Sequence, residues 1–148
     1  MSLLDTAIWW HVYPLTACGA PIHRPDQAAA AHQEHRLRRL LNWLDYAVEL
    51  GCSGLLLGPI FASSSHGYDT LDHFHIDPRL GDDADFDHLV AAARERGLSI
   101  MLDGVFNHVG VEHPLVTSGS ALIKRDAHGA PLPWEGNGDL ALLDHSRP

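Results

Sequence analysis

The sequence predicts an α/β architecture, a parallel sheet covered by helices, on three observations. Short apolar runs alternate with amphipathic segments in the order strand, helix, strand, helix, strand; the runs are apolar throughout rather than at every second residue; and glycine, proline or polar residues stop each one. Strands buried on both faces read this way because helices cover both sides of a parallel sheet. With 148 residues, 45% hydrophobic and 20% charged, the chain has material for one core rather than two.

"AIWWHVY", halted by Pro14, places the first strand at 7–13. In "EHRLRRLLNWLDYAVEL", Leu37, Leu40, Leu41, Leu44 and Val48 recur at three- and four-residue spacing, so an amphipathic helix is expected over 34–50 with Gly51 as its C-cap. "SGLLLG" gives a second strand at 53–57, and "FDHLVAAARERG", preceded by acidic residues that suit a helix N-terminus, gives a helix near 85–96. "LSIMLDGVF" supplies the third strand at 98–103. The three strands are expected to be adjacent and parallel, with both helices on one outer face, as right-handed crossovers require. From 109 to 148 the segments "TSGS", "HGAPLPWEGNG" and "DHSRP" are turn-rich, and an excursion with little regular structure is expected.

Composition excludes several classes. A net charge of −9 opposes a phosphate backbone, and the basic cluster Arg36, Arg38 and Arg39 shares its stretch with Glu34 and Asp45, so no nucleic-acid partner is expected. "MSLLDTAIWW" lacks a basic leader region, and "GLLLGPIFA" is too short to span a bilayer, so the expectation is a soluble, cytoplasmic protein without a membrane partner. Cys18 and Cys52 stand apart without C-x-x-C spacing and read as reduced thiols.

Parallel α/β sheets place their chemistry at the carboxyl ends of the strands. His11 and Tyr13 end the first strand, "SSSHGYDTLDHFHIDPRLG" follows the second, and Asp103, Asn107 and His108 follow the third. Each has a plain structural reading beside the functional one. Asp103 serves equally as an acceptor for backbone at a strand end, and Asn107 and His108 equally as turn formers. Asp72, His73 and His75 alternate like metal ligands, yet a chain with 12 histidines produces such pairs easily. Tyr68, between Gly67 and Asp69 in a polar loop, fits an exposed aromatic platform better than a core position.

Four stretches in order, "IWWHVYPL", "GLLLGPIFAS", "HGYDTLDHFHIDPRLG" and "DGVFNHVG", closely resemble the start of the catalytic barrel of the alpha-amylase family of glycoside hydrolases, family 13. The resemblance covers residues 7 to about 110. It implies a (β/α)8 TIM-barrel type of fold, of which the first three β/α units are present, followed by a domain B-like excursion. The corresponding division is 1–108 for the barrel part and 109–148 for the start of the excursion. It implies α-glucans or maltooligosaccharides as substrate. Tyr68 would stack on the sugar where cleavage occurs, His108 would hydrogen-bond its hydroxyls, and Asp103 would hold the strand end in place; Asp69 and Tyr13 join this substrate-binding group. Asn107 matches a position that binds calcium in many members, which makes calcium the candidate ion. Many glucosidases of the family carry an acid three residues before the tyrosine; Ser65 stands there, which disfavours an exo-acting glucosidase.

Retaining glycosidases need two carboxylates about 5 Å apart. The family keeps them after the fourth and fifth strands, with a further Asp after the seventh; Glu135, Asp139 and Asp144 match none of those motifs. No catalytic residue is therefore assigned. A barrel of this type runs to roughly 250 residues, so the chain is expected to be the N-terminal part of a larger retaining α-glucan hydrolase or glucosyl-transferring enzyme, inactive by itself. Its open strand edges would pair with the remaining barrel segments or with another copy. The alternatives are a stand-alone carbohydrate-binding or interaction module without catalysis, and a His-rich metal-binding protein.

Overall fold

Apolar runs bounded by helix and turn signals become the strands of the main sheet: β1 (Trp9–Val12), β2 (Gly54–Leu57) and β3 (Ser99–Leu102). The computed structural model describes residues 6–23 and 34–147. The strands lie in the order β1-β2-β3 and are parallel throughout, with Trp9 opposite Gly54 and Gly54 opposite Ser99. Each is shorter than the run that predicts it. After β1, for example, Pro14 opens the one-turn helix α1 (Pro14–Ala17), because its ring presets a helical φ and lacks the N–H that a strand would use.

The helix expected over 34–50 is two pieces. A 3-10 helix, Arg36–Trp43, runs into α2 (Leu44–Glu49). The reason lies at its start, where external groups hold the backbone: Leu37 N–H donates to the Leu80 carbonyl at 2.7 Å, and His35 and Arg38 reach the Asp85 carboxylate. In a helix of three residues per turn, Leu37 and Leu40 eclipse and both are buried. Val48, counted in the predicted stripe, is exposed, and Ala47 is buried in its place.

Helix α3 (Asp83–Glu95) begins two residues before its predicted start because Asp82 and Asp85 form a reciprocal cap. Asp82 accepts the Asp85 N–H at 2.9 Å, and Asp85 accepts the Asp82 N–H at 3.2 Å. Burial of Asp85 raises its pKa, but bonds from His35, Arg38 and the Asp82 backbone outweigh this and hold it below the usual carboxylate value. Leu37, Leu40, Leu44 and Ala47 share one apolar cluster with Leu55, Leu57, Leu89 and Ala93, so both helical segments pack on the sheet through the same core.

The excursion is more regular than its composition suggests. β4 (His108–Gly110), β5 (Pro133–Trp134) and β6 (Asn137–Leu142) form an antiparallel sheet in the order β4-β6-β5, with the short helix α4 (Pro114–Thr117) between β4 and β5. Glu135 at φ 49° and Gly136 at φ 78° make the left-handed pair that a tight hairpin requires. Val109, Ile123 and Ala141 are its small core. β4 and β5, at three and two residues, show no periodicity, and β6 opens on the turn residues Asn137 and Gly138, which is why the sequence hides the sheet. His108 pairs with Leu142, so the second sheet starts at the residue expected to close the barrel part.

Between β2 and α3 the chain folds back on itself through antiparallel bridges Phe61–Ile76 and Ser63–Thr70. The buried Arg79 guanidinium holds this loop, donating to Asp77 at 2.8 and 2.6 Å, to Ser63 Oγ at 2.7 Å and to the Pro21, Ile22 and Ser65 carbonyls. Asp77 also accepts the Ser63 N–H at 3.0 Å. Among the described residues no helix is long and apolar enough to cross a membrane.

Removing one partner of a buried ion pair leaves the other charge uncompensated. Arg79→Leu is therefore expected to destabilise the chain by about 3–5 kcal/mol, measured by urea unfolding. A change below about 1 kcal/mol would show that the loop is held otherwise.

Candidate functional site

The site grows from the ends of the parallel strands. Asp103 N–H donates to the Leu57 carbonyl at 2.9 Å, continuing the ladder one residue beyond β3, and leaves the carboxylate at the sheet's carboxyl edge. There it accepts the Tyr68 hydroxyl at 3.0 Å. Tyr13, next after β1, donates its hydroxyl to the His66 carbonyl. Two tyrosines thus tie the 63–70 loop to the sheet, one at each outer strand.

Asp69 is only 3% exposed; its Oδ2 accepts the Ser65 hydroxyl at 2.7 Å, and its Oδ1, 3.8 Å from His66 Nδ1, has no hydrogen-bond partner among the described residues. Gly110 N–H donates to the Thr70 carbonyl at 2.9 Å, and a Cβ on Gly110 would sit 2.8 Å from the Asp69 carbonyl oxygen. Glycine permits this approach, which presses β4 against the tyrosine loop and brings His108 to the same place.

His108 is 5% exposed. Its ring stacks on Trp134 with centroids 4.5 Å apart and planes at 17°, the Asn107 amide nitrogen lies 3.3 Å from Nδ1, and Nε2 is buried without a hydrogen-bond partner among the described residues. Burial lowers the His108 pKa, opposed by the Tyr68 backbone and reinforced by His66. The ring is therefore neutral near pH 7, and in the tautomer whose Nδ1 accepts from the Asn107 amide, Nε2 carries the proton and is the donor. Burial, then the bond to Asp103, raises the Tyr68 pKa; burial raises that of Tyr13 against the opposing Arg79 charge. Both phenols stay protonated.

Of the residues singled out in the sequence, Tyr68, Asp103, Asp69, Tyr13 and His108 are thus brought to one region. Tyr68 is partly exposed, as a platform needs. His11 is exposed, and among the described residues no hydrogen bond or ring contact ties it to the group. Asn107 offers calcium one neutral oxygen, whereas that ion takes 6–8. Among the described residues the acidic and histidine groups close enough to hold an ion are His35, Asp82 and Asp85, which do not include Asn107. Nor do the loop histidines converge: His75 bonds Asp72 at 2.8 Å, while His73 Nε2 meets the Val105 carbonyl at 2.9 Å.

Sequence reasoning missed Trp134 and Arg79. The glycine-bearing turn between "PLPW" and "DLAL" was the available signal for a hairpin carrying Trp134. A charged residue in a loop gives no sign that it is buried.

The model of the family described as alpha amylase, catalytic domain, matches residues 33–127, a range that holds Tyr68, Asp69, Asp103 and His108. The chain belongs to the alpha-amylase family. An intracellular maltogenic amylase of Bacillus subtilis is 51% identical over 79 residues, covering 53% of this chain and 13% of that protein. A cyclomaltodextrinase of Geobacillus thermopakistaniensis (strain MAS1) is 39% identical over 116 residues, covering 71% of this chain and 20% of that protein. The chain thus spans about an eighth to a fifth of these curated relatives. The ligand-free cyclic alpha-maltosyl-(1→6)-maltose hydrolase of Arthrobacter globiformis superposes with a TM-score of 0.76 at 26% identity, over 99% of this chain and 39% of that one. These alpha-amylase family relatives support the (β/α)8 type of fold, of which the chain displays three parallel strands and an excursion after the third.

A buried neutral histidine fixes the sign of one pH dependence. The folded pKa of His108 lies below the ordinary 6.5, so the unfolded chain takes up the proton first and stability falls as pH drops below about 6.5. NMR titration should place the His108 midpoint below 6.5, and His108→Gln should flatten the stability profile there, with the remaining slope owed in part to His113, also depressed by burial. A His108 midpoint at or above 6.5 would contradict the buried neutral ring.

Proposed function

We propose that this chain is the N-terminal portion of the catalytic barrel of a retaining glycoside hydrolase, or glucosyl-transferring enzyme, acting on α-glucans or maltooligosaccharides. The observation that carries the reading is the Tyr68–Asp103 hydrogen bond of 3.0 Å at the strand ends, beside a neutral His108 with an unspent Nε2. The face of a pyranose is apolar and suits the exposed Tyr68 ring, while its hydroxyls suit uncharged hydrogen-bonding groups. Asp103 fixes the phenol, and Asp69 and Tyr13 fix the loop that carries it. The maltogenic amylase and cyclomaltodextrinase likeness supports the substrate class.

Residues 1–108 form the barrel part and 109–148 the start of domain B in this reading, with His108 at the join. The retaining carboxylate pair is assigned to later strands of the barrel. Glu135 and Asp139 are exposed on the hairpin, and the Asp144 carboxylate is engaged by Ser146 and Arg147. The free edges of β1 and β3 would pair with those later strands, or with a second copy in their absence. A cytoplasmic location is supported by the intracellular relative.

Release of reducing sugar from maltooligosaccharides tests this. The 148-residue chain should show none, and a longer protein restoring the later strands should turn over. In that longer protein His108→Gln should lower kcat/KM by about tenfold or more. Turnover by the short chain would overturn the assignment of the missing groups; binding without cleavage by the longer protein would favour a carbohydrate-binding module.

A further inference from the structure

The second sheet reaches into the site at one residue. His108 begins β4, β4 pairs with β6, and β6 pairs with β5, where a register shift falls between Pro133 and Trp134. The left-handed pair Glu135 and Gly136 then turns the chain directly after Trp134. Backbone pairing, rather than a long flexible loop, therefore delivers the indole to the imidazole. The planes lie at 17° with centroids 4.5 Å apart, a near-parallel stack that the half-buried indole makes on one face of the imidazole.

The imidazole is consequently held at three points: its own backbone in β4, the Asn107 amide at Nδ1, and the indole across its face. Its Nε2 is buried and has no hydrogen-bond partner among the described residues. An N–H left in that state is costly, and a ligand hydroxyl oxygen restores the missing bond.

We propose that Trp134 is a positioning residue for His108, clamping the imidazole so that its Nε2–H is oriented for a sugar hydroxyl. The proposal rests on the sugar-site reading above and adds a determinant from the excursion to a site otherwise built on the strand ends. Because the hairpin sets where the indole lies, its length and register set how firmly His108 is aimed.

Titration of the 148-residue chain with maltotriose, followed by histidine imidazole NMR, tests this on wild type, Trp134→Ala, Trp134→Phe and His108→Gln. Trp134→Ala should weaken binding by about tenfold and move the His108 titration towards that of an ordinary histidine, while Trp134→Phe keeps affinity within about threefold because it keeps a ring face. Backbone amide spectra report whether the second sheet remains folded. Wild-type affinity in Trp134→Ala, with His108→Gln defective, overturns the clamp and leaves the sugar site standing. Equal loss in Trp134→Ala and Trp134→Phe, accompanied by loss of the second-sheet amides, marks a folding effect and also overturns it. No binding by wild type removes the sugar-site reading, and the clamp with it.

Discussion

The arrangement of the site depends on one buried ion pair. Arg79, itself buried, offers its guanidinium donors to the Asp77 carboxylate, to the Ser63 hydroxyl and to carbonyls from residues 21, 22 and 65. A planar fork of fixed geometry can meet so many acceptors only if the segments bearing them hold one arrangement. Ser65 is thereby placed to bond Asp69, and the turn between them presents Tyr68 to Asp103. The aromatic platform thus inherits its position from a charge that never touches it.

The chain carries a net charge of −9, yet the acids of the candidate site are spent on protein donors. Asp103 is engaged by Tyr68 and Asp69 by Ser65, both phenols keep their protons, and His108 is neutral at pH 7. Such a surface suits an uncharged polyol, whose recognition depends on hydrogen-bond direction and on covering an apolar ring face. A phosphorylated or acidic ligand would find no compensating charge in this set.

Much of the main sheet was legible because strands buried on both faces announce themselves as unbroken apolar runs. Tyr68, Asp103 and His108 were legible because parallel pairing carries strand ends to one edge. The 3-10 helix at Arg36–Trp43 was not: leucines three and four apart satisfy either helix, and the choice was made by Leu80 and Asp85 at a distance in sequence. The second sheet was hidden by the brevity of β4 and β5 and by the turn residues that open β6. Trp134 meets His108 through two steps of antiparallel pairing, a long-range fact that local composition cannot encode.

The central claim is that Tyr68 and His108 contact one sugar at the carboxyl ends of the parallel strands. A crystal structure of the chain with maltotriose tests it most directly. A glucosyl ring is expected to lie on the Tyr68 phenol with a hydroxyl at hydrogen-bond distance from His108 Nε2. Maltotriose seated elsewhere, with both groups untouched, would contradict it.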